Sequence, residues 1–201
     1  PSISVTARPG DPWRIFEGAS RVALSPDGEH AAFVVSGAVH VWHLPTSEVI
    51  CTVQFPEERL QRPFMIRNSQ TGQREAVFVG VTISQLCFTS DGKALLAGTD
   101  AGVYLWNAED GSLLTAIPMP HSNDELTFAL ALDDRVVLRG GRKTALEAWN
   151  IKTGELVRTL DDLPFTIASF AVSSDGEFAI AGGGSGAFLL RLDRLISLPE
   201  E

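Results

Sequence analysis

Residues 84–118 read SQLCFTSDGKALLAGTDAGVYLWNAEDGSLLTAIP and contain the pattern from which the architecture follows. Four short runs rich in apolar residues, at 84–89, 93–98, 102–107 and 113–118, are separated by turns that contain Asp and Gly. No part of the stretch has the 3.6-residue periodicity and the length of a helix. Four strands of about six residues joined by tight turns are predicted to form one antiparallel sheet.

The third run is apolar on both faces of its predicted strand. Val103 and Leu105 alternate with Tyr104 and Trp106, so large apolar side chains leave the strand in both directions. Such a sheet buries neither face by itself. It is therefore predicted to lie between two neighbouring sheets.

The same pattern recurs along the chain. Asp27-Gly28, Asp91-Gly92 and Asp175-Gly176 each follow an apolar run, and fourteen positions after each glycine stand Trp42, Trp106 and Leu190. A copy without the glycine, Ala131-Leu132-Asp133-Asp134, precedes Trp149. The series Trp42, Trp106, Trp149 and Leu190 is spaced by 64, 43 and 41 residues. A repeat of about 42 residues made of small sheets that bury both faces predicts radial stacking, as in a propeller.

We therefore expect an all-β fold, a β-propeller built of four-stranded antiparallel blades in a single domain over residues 1–201. The expected parts are a half blade at 1–16, blades at about 21–55, 84–118, 128–161 and 168–199, and an insertion at 56–83. The insertion has two apolar runs flanking a Gly-containing turn, which predicts a β-hairpin. Two alternatives for closure remain open: a small ring that closes on itself, or a partial ring completed by another chain or another segment.

The run from Ser90-Asp91-Gly92 through Val103-Tyr104-Leu105-Trp106-Asn107 to Asp110-Gly111 resembles a blade of the WD-repeat β-propeller family. Residues 22–42, 130–154 and 170–190 are similar to further copies. The family's Gly-His reads Gly18-Ala19 here, and its buried Asp is kept only as Asp100, with Ser36, Lys143 and Gly184 at the corresponding places. The resemblance implies an interaction scaffold whose blades are held together mainly by apolar packing.

Charge and composition narrow the classes of partner. The chain has 201 residues, with 16 basic and 25 acidic side chains and a formal charge of −9. This charge disfavours nucleic acid and anionic membrane surfaces, because both are bound through neutralised phosphates. No apolar run approaches the roughly 18 residues of a membrane span. We expect a cytoplasmic protein in which Cys51 and Cys87 are core residues.

No motif points to catalysis, a cofactor or a metal. Gly182-Gly183-Gly184-Ser185-Gly186-Ala187 has the spacing of a dinucleotide loop, but it aligns with a hairpin turn of the repeat, and a helix there would break the repeat. The four histidines, His30, His40, His43 and His121, lack ligand spacing, since His40 and His43 leave a strand on opposite faces. A serine nucleophile elbow is absent from the sequence. The chain is therefore expected not to be an enzyme and to hold no cofactor and no metal.

The favoured function is a non-catalytic protein–protein interaction scaffold, or a subunit of a larger assembly, that binds a protein or peptide through loops and the 56–83 insertion. A propeller that holds a small redox cofactor in its central channel is the alternative from another class, and a purely structural subunit is a third. The candidate contact residues lie in the insertion, in the second-to-third strand loops and in the fourth-to-first strand loops: Arg62, Phe64, Arg67, Asp100, His121, Asp124, Arg142 and Lys143.

Overall fold

A computed structural model describes residues 5–6, 15–16, 18–53, 55, 62–67, 74–79, 81–119, 126–141 and 145–196. Within these ranges the regular structure is β-strand, apart from one helical turn near the end. The first strands are β1 (Val5–Thr6) and β2 (Ile15–Phe16), which pair antiparallel with each other.

Sheet I has four antiparallel strands in chain order: β3 (Ala19–Leu24), β4 (His30–Val35), β5 (Ala38–His43) and β6 (Glu48–Val53). An inserted hairpin follows, formed by β7 (Arg62–Arg67) and β8 (Arg74–Val79). Sheet II repeats the plan of sheet I: β9 (Ile83–Phe88), β10 (Ala94–Thr99), β11 (Gly102–Asn107) and β12 (Leu113–Pro118). Its first two strands lie one residue away from the positions that the sequence pattern predicts.

Sheet III also has four antiparallel strands: β13 (Thr127–Ala131), β14 (Val136–Gly140), β15 (Leu146–Asn150) and β16 (Leu156–Leu160). Sheet IV has three described strands: β17 (Ser169–Val172), β18 (Phe178–Gly183) and β19 (Gly186–Arg191). The chain then forms the helical turn α1 (Leu192–Leu195).

The helical turn follows the third strand of sheet IV, at the place where sheets I, II and III have the turn that precedes their fourth strand. Leu192 and Ile196 are both buried in the core that sheets III and IV share. The Ile196 amide donates to the Leu192 carbonyl, and the guanidinium of Arg191 pairs with the carboxylate of Asp193 at 3.0 Å. A fourth strand of the expected blade at 168–199 would begin near residue 197 at the spacing of sheets II and III, which lies outside the described residues.

The recurring Asp-Gly turns fix the register of three sheets. In sheet II the Thr89 hydroxyl donates to Asp91 Oδ1 at 2.7 Å and accepts from the Ala94 amide at 3.0 Å. Asp91 Oδ1 also accepts from the Lys93 amide at 3.0 Å, and Gly92 has a φ of +71°, which glycine adopts without strain. Ser25 with Asp27, and Ser173 with Asp175, make the same bonds in sheets I and IV. The hydroxyl, the carboxylate and the glycine together explain why the first and second strands have the same register in sheets I, II and IV.

Successive sheets pack face to face along their first strands, from β3 to β9 to β13 to β17. Trp106 is buried in the core between sheets I and II. The core between sheets II and III includes Phe128, whose ring lies directly over Gly98. Apolar packing on both faces of the middle sheets therefore holds the four sheets together.

The two end sheets each keep apolar side chains exposed. On the face of sheet I directed away from sheet II, Val22 and Leu24 of β3 are exposed. On the face of sheet IV directed away from sheet III, Ile180 is 49% exposed and Leu189 is 65% exposed. Side chains at the same repeat positions in the middle sheets are covered by a neighbouring sheet.

Candidate functional site

The sheets have two ends that differ in their connections. At the "Asp-Gly end" lie the first-to-second and third-to-fourth strand turns, including residues 89–93 and 132–135. At the "loop end" lie the second-to-third strand turns and the connections from each fourth strand to the next first strand. These names are used below.

Asp100 is the candidate contact residue whose surroundings are described in most detail. It lies in the turn between β10 and β11 at the loop end and accepts a hydrogen bond from the Thr82 amide at 3.1 Å. Its own amide donates to the Thr82 carbonyl, also at 3.1 Å. Asp100 therefore fixes the segment through which the chain passes from the inserted hairpin into β9.

The other candidate residues fall into two groups. Arg62, Phe64 and Arg67 lie in β7, in register opposite Val79, Val77 and Arg74 of β8. The second group lies outside the described residues: His121, Asp124, Arg142 and Lys143. In the sequence, two of these residues fall between β12 and β13 and two fall between β14 and β15. Both connections join strands at the loop end.

A pocket of about 360 Å³ lies between the first strands of sheets II, III and IV and the turns that follow these strands at the Asp-Gly end. Its apolar lining residues include Phe88 and Phe128, whose side chains are buried in the cores that sheet II shares with its two neighbours, and the half-buried Leu130, Phe170 and Val172. Polar groups complete the lining: Gln85, Ser90, Asp133, Asp134, Ser173 and Ser174. The pocket thus combines an apolar interior with carboxylates and hydroxyls, as sites for small groups commonly do.

The turn at residues 132–135 has an unusual backbone. Leu132, Asp133 and Asp134 have φ values of +52°, +52° and +61°, a left-handed conformation that is costly for residues other than glycine. Leu132 occupies the position at which the other three repeats have Ser or Thr. The side-chain hydroxyl that donates to the Asp carboxylate in those repeats is therefore missing here. The amide of Ser90 in sheet II donates to Asp134 Oδ2 at 2.5 Å and thereby joins two sheets.

Sequence reasoning did not identify this pocket. The available signal was the absence of a Ser/Thr-x-Asp-Gly turn from the third repeat, together with two adjacent carboxylates in its place. Departure of one repeat from a pattern that the other repeats keep indicates that other contacts set its conformation. The walls come from three different sheets and could be located only after the sheets were stacked.

Cys87 also lines the pocket, but its thiol is not poised for chemistry. Burial, and secondarily the charge of Asp134, raise the pKa of the Cys87 thiol to about 12. The reactive form of cysteine is the thiolate, so at neutral pH this group acts as an apolar wall. The Cys51 thiol also has a raised pKa, mainly because of burial, and it donates to the Ala108 carbonyl at 3.5 Å.

In the described part of the chain, no three His, Cys, Asp or Glu side chains come together in an arrangement that could hold a metal ion. Its helical residues form no segment of the length and hydropathy that crossing a bilayer requires.

Comparison with known proteins supports the fold. No protein-family model matches the chain. Cell division control protein 4 of Candida albicans is 23% identical over 150 residues, which is 69% of this chain. The chain spans about a fifth of that relative, 21% of its length.

A crystal structure of the computationally designed Ika4 protein is similar at a TM-score of 0.61 and 16% identity, covering 87% of this chain and 91% of that one. At this identity the likeness concerns the fold alone. The antiparallel sheets stacked along their first strands are consistent with the blades of a WD-like β-propeller.

Proposed function

We propose that this chain is a non-catalytic protein-interaction scaffold, or a subunit of a larger assembly, that binds a protein or peptide at the loop end. The observation that carries the proposal is the β7–β8 hairpin. It is an addition to the four-strand repeat, and among the described strands β7 and β8 pair only with each other. An extra hairpin that pairs with none of the other described strands is the element to which the proposal assigns the partner contact.

The scaffold that supports the hairpin is well packed. The hydrogen bonds between Asp100 and Thr82 hold the chain just after β8, and β9 is part of the buried core of sheet II. Binding residues are often found on loops that a rigid framework positions. The hairpin therefore presents its residues from a fixed starting point.

The residue types at the loop end suit protein contacts. Phe64 and Met65 in β7, with Arg62 and Arg67 at its ends, are of the kinds enriched at interface centres, where Arg pairs with carboxylates. His121, Asp124, Arg142 and Lys143 lie outside the described residues, and by their sequence positions they belong to connections at the loop end, so the proposal keeps them as candidate contact residues. The charge of −9 favours a protein partner over a nucleic acid.

Quantitative affinity enrichment from source cells tests the proposal. Wild-type chain and the double variant Phe64→Ala, Arg67→Ala are used as bait, with Glu109→Ala, an exposed change at the Asp-Gly end, as the matched control. We expect a set of proteins that bind the wild type and the control but do not bind the double variant. Truncation of a hot-spot side chain typically lowers the binding free energy by about 2 kcal/mol or more.

Thermal unfolding of the three proteins completes the experiment. The double variant is expected to melt within a few degrees of the wild type, since a contact surface adds little to folding. If it retains every protein that the wild type retains, the hairpin is not the binding element. A large drop in its melting temperature would instead give the hairpin a structural role.

A further inference from the structure

We propose that two copies of this chain associate, with sheet IV of each copy packed on sheet I of the other. In each contact between successive sheets, the trailing face of one sheet meets the leading face of the next. The leading face of sheet I, with Val22 and Leu24, and the trailing face of sheet IV, with Ile180 and Leu189, keep apolar side chains exposed. These two faces are the two halves of the repeated contact, so a second copy supplies both missing halves.

The trailing face of sheet IV has the apolar position that a following sheet covers elsewhere. Ile180 is the middle residue of a row of three that pair across the first three strands, and its counterparts are Ala32, Leu96 and Leu138 in sheets I, II and III. Those three side chains are 0% exposed, whereas Ile180 is 49% exposed. The same position is therefore closed by a neighbour in three sheets and open in the fourth.

A glycine two residues further along the second strand shows how closely a neighbouring sheet approaches. A Cβ atom at Gly98 would overlap the ring of Phe128 in sheet III, and one at Gly140 would lie 2.7 Å from Cβ of Ile167, which leads into sheet IV. Gly182 is the equivalent residue of sheet IV. Its φ is not positive, and a Cβ atom there would meet one atom of its own sheet within 4 Å, at 3.2 Å. A glycine inside a strand often marks a close approach by another segment, so this position is shaped for a neighbour.

The leading face of sheet I has the matching half of the contact. Val22 of β3 corresponds to Leu86 in sheet II and Phe128 in sheet III, because each pairs with the residue one place before the position that Gly98 and its equivalents hold. Leu86 is 5% exposed and Phe128 is 1% exposed, but Val22 is 72% exposed. None of the described sheets covers this part of sheet I.

The exposed part of this face is limited to its first strand. Phe33 and Trp42 lie on the same face and are buried, with ring centroids 5.9 Å apart. The first strand is also the part that enters the contact in the middle of the stack, where a phenylalanine of β13 lies over Gly98. By analogy, Val22 of one copy is expected to lie over Gly182 of the other.

Two copies can satisfy both contacts at once. The contact joins unlike faces, so it closes into a ring only if the rotation between copies permits it. Four sheets from each of two copies make a stack of eight, which is within the range of blade numbers in propellers. Because each copy has a charge of −9 and repels the other, we expect a dissociation constant of about 20 µM. At about 1 µM the single copy then prevails, with Val22 and Leu24 exposed.

Sedimentation velocity of the full chain, at concentrations from about 1 µM to about 300 µM, tests the association. The average mass is expected to rise from that of one chain to that of two. Val22→Glu and Ile180→Lys should each weaken association about tenfold or more, because each buries a charge against apolar side chains. Leu114→Glu, at an exposed leucine of β12 outside both faces, is the matched control and should weaken it less than about twofold.

A mixture of the two variants distinguishes contact between unlike faces from contact between like faces. In a pair formed by one Val22→Glu chain and one Ile180→Lys chain, one contact carries neither substitution and the other carries both, with opposite charges. The mixture should therefore recover association to within about fivefold of the wild type. Contact of sheet I with sheet I would instead leave Ile180→Lys without effect.

Gly182→Ala tests the close approach with the smallest possible change. The added methyl group would occupy the space assigned to Val22 of the other copy and should weaken association about fivefold or more. Gly184→Ala is its control, because a Cβ atom at that position meets nothing within 4 Å, and association should stay within about twofold of the wild type. Circular dichroism at about 1 µM verifies that each variant keeps the fold of the single copy.

Four results would overturn the inference: the mass of one chain throughout the concentration range, an effect of Leu114→Glu as large as that of Val22→Glu, no recovery in the mixture, or growth beyond two chains. The first would leave the exposed faces to another partner, and the last would show an open stack. The variant Phe64→Ala, Arg67→Ala should associate like the wild type, since the hairpin takes no part in this contact. The outcome is therefore independent of the proposed function of the hairpin.

Discussion

Val22 and Leu86 hold the same position in successive sheets, six residues before the glycine of the Asp-Gly turn, yet Val22 is 72% exposed and Leu86 is 5% exposed. The difference comes from the neighbouring sheet: sheet I covers Leu86, whereas none of the described sheets covers Val22 of β3. Position in the repeat determines which way a side chain points, but stacking determines what it contributes to stability.

Replacement of leucine by alanine at covered and exposed positions measures this difference. Leu86→Ala is expected to lower the free energy of unfolding by about 2–5 kcal/mol, because it removes buried methyl groups and leaves a cavity. Leu24→Ala, the same chemical change on the exposed face of β3, should cost no more than about 0.5 kcal/mol. Urea unfolding followed by tryptophan fluorescence gives both values. Similar losses for the two variants would mean that the face of β3 is covered in solution.

The Thr89 hydroxyl is expected to be essential to the turn of sheet II. Thr89→Val keeps the size but removes the acceptor for the buried Ala94 amide and the donor to Asp91, so it should cost about 1–3 kcal/mol. Thr89→Ser is the matched control and should stay near wild type, because serine makes these bonds at residues 25 and 173. Equal losses for valine and serine in urea unfolding would show that the hydroxyl bonds contribute little.

The same turns predict how stability depends on acid. Hydrogen bonds from Ser25, Thr89 and Ser173 are the main cause of the lowered pKa values of Asp27, Asp91 and Asp175, whose ordinary value is 3.8. Near pH 4 the folded state therefore binds fewer protons than the unfolded state. Its extra stability is complete above about pH 5 and is lost as the pH falls through the folded pKa values.

Asp175→Asn tests the acid dependence. Asparagine does not titrate, so the melting temperature of the variant should fall less steeply between about pH 5 and pH 2 than that of the wild type. Asp161→Asn, at an exposed carboxylate outside these turns, is the control for the removal of one surface charge. Parallel curves for all three proteins would contradict the assignment.

Much of the architecture could be predicted from the sequence because its determinants are local. Asp91-Gly92 marks a tight turn by its own chemistry, and the alternation around Trp106 marks a strand with two covered faces. The helical turn at Leu192 and the pocket beside Asp134 could not be predicted in this way. Leu192 is held by the core between two sheets, and Asp134 by an amide 44 residues away, so both depend on contacts that exist only after stacking.

Gly98 and Phe128 provide a direct test of how closely sheets II and III approach. A Cβ atom at position 98 would lie 2.2 Å from Cδ2 of Phe128, so Gly98→Ala forces the ring or the sheet to move. We expect a loss of about 1–3 kcal/mol in the free energy of unfolding, the usual cost of overpacking. Gly184→Ala is the matched control, because a Cβ atom there meets nothing within 4 Å, and its effect should stay within about 0.5 kcal/mol.

A second variant separates the contact from the intrinsic effect of the substitution. Phe128→Leu makes room above residue 98, so Gly98→Ala should cost less in that background than in the wild type, with a coupling free energy of about 0.5–3 kcal/mol. Additive losses would show that the alanine is accommodated without touching the ring. In that case sheets II and III would lie farther apart than the Gly98 contact requires, and Phe128 would occupy a different place beside the pocket.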